Sequence, residues 1–273
     1  MQLSQIIENN AELLEGKKDK VIGIYYASEL HGCQRKIYYS YLEKPKYKFN
    51  VHKSFFIGNA LHELVQSIAF TYSQKVNGIV VQNEIKDMTY IEPETKLEIH
   101  GRLDTLIIEK LTGKVHIFEI KTTSNLNYAP IKEHYNQLNY YLYFNPDTTG
   151  KFHPFDLDYE IEPKVEGHLF YINTSKKKYN EESYLEFKEV PASDSEEPIL
   201  FDRDLFLADV KRAKVLHQYL LERKVPPPEA KLSVDMFWQC PLCPFKNKCD
   251  IEENTKIIGE KNYNELAKKI KKK

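Results

Sequence analysis

Apolar residues change their period several times along the chain, and each change marks an element. In KSFFIGNALHELVQSIAFTYS (53–73), Ile57, Leu61, Leu64 and Ile68 recur at 4-3-4 spacing, which predicts a helix with these four on its buried stripe. Other helices are predicted over 3–15, over 28–43 and over 129–144. In the second, Ser28 is the cap and Ile37, Tyr38, Tyr41 and Leu42 form the stripe; in the third, Ile131, Tyr135, Leu138 and Leu142 do so. Alternation predicts strands near 79–87, 97–109 and 114–122, and the turn chemistry of LTGK (111–114) joins the last two as an antiparallel hairpin. The stretch 145–165 reads as an inserted loop. Strands near 167–173 and 183–190 return the chain to the sheet, and a helix over about 200–224 ends before Pro226-Pro227-Pro228. This order predicts an α/β fold, a mixed central sheet flanked by helices.

One predicted strand ends against its own pattern. In HIFEIKTT (116–123), side chains alternate between faces, so Val115, Ile117, Glu119 and Lys121 share one side. A surface ion pair is the common explanation for an acid and an ammonium there. Asp104, in the preceding strand, offers another, because a short hairpin brings it near Glu119. Two converging carboxylates repel, and a proton or a cation must sit between them. Such oxygen ligands suit Mg²⁺ or Mn²⁺, which polarise a phosphoryl oxygen and lower the pKa of a bound water. Lys121 is placed to orient that water or to stabilise developing charge. His62 lies on the long helix one turn after Gly58, and Gln137 and Tyr141 share a face of the 129–144 helix, with His134 beside them. Each of these alone is ordinary: a hydrogen-bonded histidine, a packed tyrosine.

Composition narrows the function less than the motifs do. The 273 residues, 41% of them hydrophobic, suffice for a large core. Basic and acidic side chains nearly cancel, 39 against 40, so a nucleic-acid groove has to be local. The basic runs Lys176-Lys177-Lys178 and KKIKKK are of a kind usual on solvated surfaces. No G-x-x-x-x-G-K-[ST] phosphate loop exists, which argues against an ATP motor. No apolar run is long enough to span a membrane, and the N-terminus lacks the apolar core of a signal peptide, so a cytoplasmic protein is expected.

In that compartment the four cysteines are not expected to form disulfides. Cys240, Cys243 and Cys249 fall in CPLCPFKNKC, and Cys33 lies in HGCQRK near the other end. Four thiolates bind zinc well, but one C-x-x-C pair with two separate cysteines also fits an iron–sulfur cluster. Spacing leaves both metals open.

His62, the G-x-x-D ending at Asp104, E-x-K at 119–121 and Q-x-x-x-Y at 137–141, in this order, resemble the RecB-type branch of the PD-(D/E)XK nuclease superfamily. Leu103 stands where the superfamily's name has Pro. The resemblance implies a restriction-endonuclease-like core with Asp104, Glu119, His62 and the backbone carbonyl of Ile120 as metal ligands. It makes Lys121 the catalytic lysine, with Gln137 and Tyr141 orienting it or the DNA backbone. One cysteine before these motifs and three after them resemble the iron–sulfur members. A short chain without a helicase, carrying YYASELHGCQRKIYYSYLE, is similar to the CRISPR-associated exonucleases of the fourth Cas family.

That resemblance covers most of residues 20–250. It implies a 4Fe–4S cluster on Cys33, Cys240, Cys243 and Cys249. The implied division is an N-terminal helical segment (1–52), a nuclease core (53–225), and a C-terminal iron–sulfur segment with a basic tail (226–273), the two ends forming a helical cap. The implied activity is metal-dependent exonucleolytic hydrolysis of single-stranded DNA ends, 5′→3′, trimming precursors for a CRISPR spacer-integrase complex. Tyr38, Tyr39 and Trp238 are candidates to stack on unpaired bases. The alternatives are a viral or plasmid recombination nuclease with the same site, and a non-catalytic DNA-binding subunit, zinc-stabilised or working within the integrase complex.

Overall fold

The computed structural model describes residues 19–45, 49–157, 165–174, 186–191 and 197–254. The helix expected at 3–15, the Lys176–Lys178 run and the basic tail lie outside them. The strands are β1 (Ile24–Tyr26), β2 (Ile79–Ile91), β3 (Glu98–Glu109), β4 (Lys114–Thr123), β5 (Val165–Asn173) and β6 (Phe187–Val190). The helices are α1 (Gln34–Leu42), α2 (Phe49–Ser73), α3 (Lys132–Leu142), α4 (Arg203–Leu221) and α5 (Glu229–Leu232), followed by helical residues 246–254.

Among the described residues the six strands form one mixed sheet. The expected hairpin is present: β3 and β4 run antiparallel from Glu109↔Lys114 to Thr105↔Phe118, around a turn whose Gly113 adopts φ +75°. β4 pairs with β5 in parallel over its whole length after the α3 crossover, and β6 closes that side antiparallel.

β3 holds the feature that positions the site. β2 pairs with it from Ile91↔Glu98 to Ile79↔Glu109, occupying one edge throughout. The other edge is divided. Parallel β1 takes Glu98–His100, and β4 takes Thr105–Glu109. Residues 101–104 lie in the fork between them, with no strand partner on that edge among the described residues. α3 packs against the fork, and Gly101 makes the approach possible. A Cβ there would lie 2.7 Å from both the Tyr140 and the Tyr141 ring.

The core lies between the sheet and helices α3 and α4. Leu138 and Leu142 press on Gly167 of β5, where an added Cβ would come within 3.0 Å of both. The hydroxyl of buried Tyr140 lies within hydrogen-bond reach of the carbonyls of Met88 (2.9 Å) and Ile99, beside the β2 bulge between Ile85 and Met88, and has one proton to give to them. Tyr143 and Phe201 stack on or around Phe206 of α4, and Phe155 stacks on Phe201. The described part of the predicted inserted loop is therefore tied into the core.

Several expectations need correction. α1 starts at Gln34, not near Ser28, because residues 27–30 form a turn after β1, and its N-cap is Cys33. Leu42 is exposed, and Tyr39 takes its place in the core. Tyr38 and Tyr39 are thereby removed as base-stacking candidates, while Trp238 stays exposed. In α3, Leu138 and Leu142 are buried as predicted, but Ile131 and Tyr135 are only half-buried. In α2 the predicted stripe is rotated: Leu64 and Ile68 are 47% and 61% exposed. The inward face instead includes Gly58, His62 and Gln66, spaced by four, because this helix lies on the site and not on the apolar core.

Candidate active site and thiol cluster

Where the β3–β4 ladder ends, a side chain continues it. Asp104 Oδ2 accepts the backbone N–H of Ile120 at 2.8 Å, replacing the strand carbonyl that the fork removes. Asp104 and Glu119 are the next opposed positions beyond Thr105↔Phe118, so both carboxylates fall on one face at the mouth of the fork. They are 5% and 2% exposed. The register thus puts the two acids at facing positions on neighbouring strands.

The other predicted residues form a chain of hydrogen bonds around them. Lys121 Nζ lies 2.5 Å from Glu119 Oε1 and donates to Gln137 Oε1 at 2.8 Å. Gln137 Nε2 donates to the Tyr141 hydroxyl at 2.8 Å, which the Arg102 backbone also reaches. His62 Nδ1 approaches Asp104 Oδ2 to 3.6 Å from α2, where a Cβ on Gly58 would meet Thr122 Oγ1 at 3.3 Å. Gly58 thus lets the helix sit close on β4. His134 does not join the chain, because its Nδ1 pairs with the Tyr171 hydroxyl at 2.9 Å. Burial, aided by the Lys121 charge, holds its ring neutral with a pKa of about 3.

The electrostatics of the pair are unbalanced. Burial pushes the Glu119 carboxyl up to about 8; Lys121 pulls it down, and Asp104 pushes it further up. Glu119 Oε2 is buried and accepts no hydrogen bond among the described residues. A buried carboxyl oxygen left this way costs free energy unless a proton or a cation answers it. The donor set, carboxylate oxygens with one imidazole beside them, fits a hard dication such as Mg²⁺ or Mn²⁺.

Sequence reasoning missed Gln66. Its Nε2 donates to the Asp104 carbonyl and to Glu84 Oε1, both at 2.9 Å, and its carbonyl accepts from Asn83 Nδ2 at 3.0 Å. Gln66 thus fixes the backbone that carries Asp104. The four-residue spacing from His62 was the available signal.

The four cysteines, all free thiols, line one cavity between residues 33–39 and 228–249. Cys33 sits at the start of α1, and its N–H donates to Gln239 Oε1 at 3.0 Å. Arg212 of α4 binds the Leu30 and Gly32 carbonyls at 2.9 and 3.0 Å, and Glu229 Oε2 at 3.0 Å. Arg35 donates to the Pro226 carbonyl at 2.6 Å, to Glu253 Oε1 at 2.7 Å and to Cys249 Sγ at 3.5 Å. These bonds join residues 30–35 to 226–253. Lys36 and Lys231 line the same cavity. Burial raises the Cys240 and Cys243 thiols, and neighbouring cysteines push in the same direction.

Among the described residues no helix is long and apolar enough to cross a membrane. No family model and no curated protein matches the chain. Among solved structures it is similar to the Sulfolobus protein SSO0001, at 17% sequence identity and a TM-score of 0.52, over 90% of this chain and 95% of that one. At that identity the likeness carries the fold, a mixed α/β sheet with flanking helices, across nearly both full lengths.

Proposed function

We propose that the chain is a divalent-metal-dependent nuclease of the RecB-like PD-(D/E)XK type that hydrolyses DNA phosphodiester bonds. The observation that carries this reading is the meeting of Asp104 and Glu119 at the β3–β4 fork, with Lys121 bridging Glu119 and Gln137. When bound, a dication there supplies Lewis-acid polarisation of a phosphoryl oxygen and a more acidic water. Asp104 and Glu119 would hold it, with His62 and the Ile120 carbonyl as further ligands. Lys121 would place its ammonium beside the attacking water and the developing negative charge. Gln137 fixes the position of Nζ, and Tyr141 fixes Gln137 through the bond between them. Gln66 holds the Asp104 backbone, so ligand placement does not depend on a mobile loop.

The sequence resemblance favours an iron–sulfur cluster over zinc in the thiol cavity that Cys33, Cys240, Cys243 and Cys249 line. Arg35, Lys36 and Lys231 provide cations against the negative charge of a thiolate-bound centre. The role of that centre is structural: it fastens both ends of the chain onto the core as a helical cap. Single-stranded ends as substrate, 5′→3′ direction and service to a CRISPR spacer-integrase complex follow from the sequence resemblance and complete the proposal.

A time course on 5′- and 3′-labelled single strands tests it, with Mn²⁺ or Mg²⁺, with and without EDTA, on wild type and Lys121→Ala. Cleavage that requires the metal and disappears in the variant supports the reading. Undiminished cleavage by Lys121→Ala removes it. An absorbance band near 400 nm in purified protein separates the cluster from zinc.

A further inference from the structure

The opposite face of β4 carries a second set of ligands, which the nuclease reading does not use. His116 of β4 and Glu166 of β5 are register partners, and His168 lies two residues along β5 on the same face. One ligand atom from each lies within 4.8 Å of the other two. His116 Nδ1 is 2.9 Å from His168 Nε2 and 3.5 Å from Glu166 Oε2. Two imidazole nitrogens aimed at each other must either share one proton or give both lone pairs to a cation.

His168 Nδ1 lies 3.1 Å from Glu189 Oε1 of β6 without a hydrogen bond between them, and His116 Nε2 lies 3.9 Å from Glu109 Oε1 of β3. Each ring thus directs one nitrogen into the cluster and has a carboxylate on its outer side. Phe118 stacks on His168 at 4.5 Å between centroids and 15° between planes, which fixes that ring. Both histidine side chains are 12% exposed, whereas the Glu166 side chain, at 34%, opens the cluster to solvent.

We propose that His116, Glu166 and His168 form a metal site for Zn²⁺, with three protein ligands and a coordination position open to water. Tetrahedral zinc with bonds of about 2.0–2.1 Å places its ligand atoms about 3.3 Å apart, between the two distances observed. The site lies about 10 Å along β4 from Glu119 and on the other face of the strand. Two imidazoles distinguish it chemically from the all-oxygen-leaning nuclease pocket, where Mg²⁺ suffices. It ties β4 to β5, and its existence does not depend on the nuclease reading.

The test is equilibrium dialysis of full-length protein against Zn²⁺, with excess Mg²⁺ present and the cysteine centre as isolated. Wild type is expected to bind one more equivalent than His168→Gln or Glu166→Gln. Equal stoichiometry and affinity in wild type and His168→Gln overturn the site. Should His168→Gln fail to fold, the ring resonances of His116 and His168 in wild type decide: both move on adding one equivalent of Zn²⁺, and unmoved resonances overturn the site.

Discussion

Asp104 and Glu119 stand 15 residues apart and meet because two adjacent strands carry them there; Cys33 and Cys249 stand 216 apart and meet through side chains. The acid pocket is a local product of β-register, and everything near it serves to point atoms. The thiol pocket is assembled across the whole chain by Arg35, Arg212, Gln239 and Glu229, and what it does first is hold. Local construction separates chemistry from stability. Distant construction merges them.

The largest expected effect tests the holding. Cys243→Ser, by loosening a link that closes a loop of over two hundred residues, is expected to lower unfolding stability by up to about 5 kcal/mol. Cleavage by the fraction still folded should stay near wild type. A variant with an unchanged denaturation midpoint but no cleavage would reverse the assigned roles.

Lys121→Ala makes the opposite cut. Cleavage is expected to fall about 10²- to 10³-fold, the usual effect of removing one group that stabilises transition-state charge. The melting temperature should change little, because the ammonium is near the surface of the pocket. Gly101→Ala is predicted to cost about 1–3 kcal/mol, since its methyl group meets two packed tyrosine rings at 2.7 Å. Because Tyr141 is one of them, cleavage should drop as well, measurable beside a thermal melt; an Ala variant equal to wild type in both would show that the rings can withdraw.

The smallest effect is a slope. In EDTA-treated protein, the Glu119 carboxyl at about 8 holds a proton that the unfolded chain, with an ordinary value near 4.5, has lost. Stability contributed by the protonated acid is therefore full below about 4.5 and lost as pH rises toward 8. Melting temperature should decline over that window more steeply in wild type than in Glu119→Gln, and Mn²⁺ should flatten the decline. Parallel curves for the two proteins would remove the unbalanced charge from the comparison.

The sequence made the acid pocket more legible than its surroundings. A hairpin turn and strict alternation fix which acids face each other, so Asp104, Glu119 and Lys121 could be placed from local pattern. The cysteines were legible as a set because there are four of them. The orientation of α2 was not, because periodicity reports an apolar stripe but not which neighbour the helix meets. With His62 and Gln66 turned inward, Leu64 and Ile68 turn out. β1 was missed because three residues carry no usable period, and the His116–Glu166–His168 group because a parallel register is set across a crossover helix. For the same reason nothing local announced the fork: it arises from where β1 stops, some seventy residues before β3 in the chain.

Asp104 closes one backbone hydrogen bond and approaches His62 with the same oxygen. The Ile120 amide proton is consequently a reporter sewn into the sheet. Its exchange with deuterated solvent measures how often that carboxylate swings away, and loading the pocket with a dication should slow it without any label being attached.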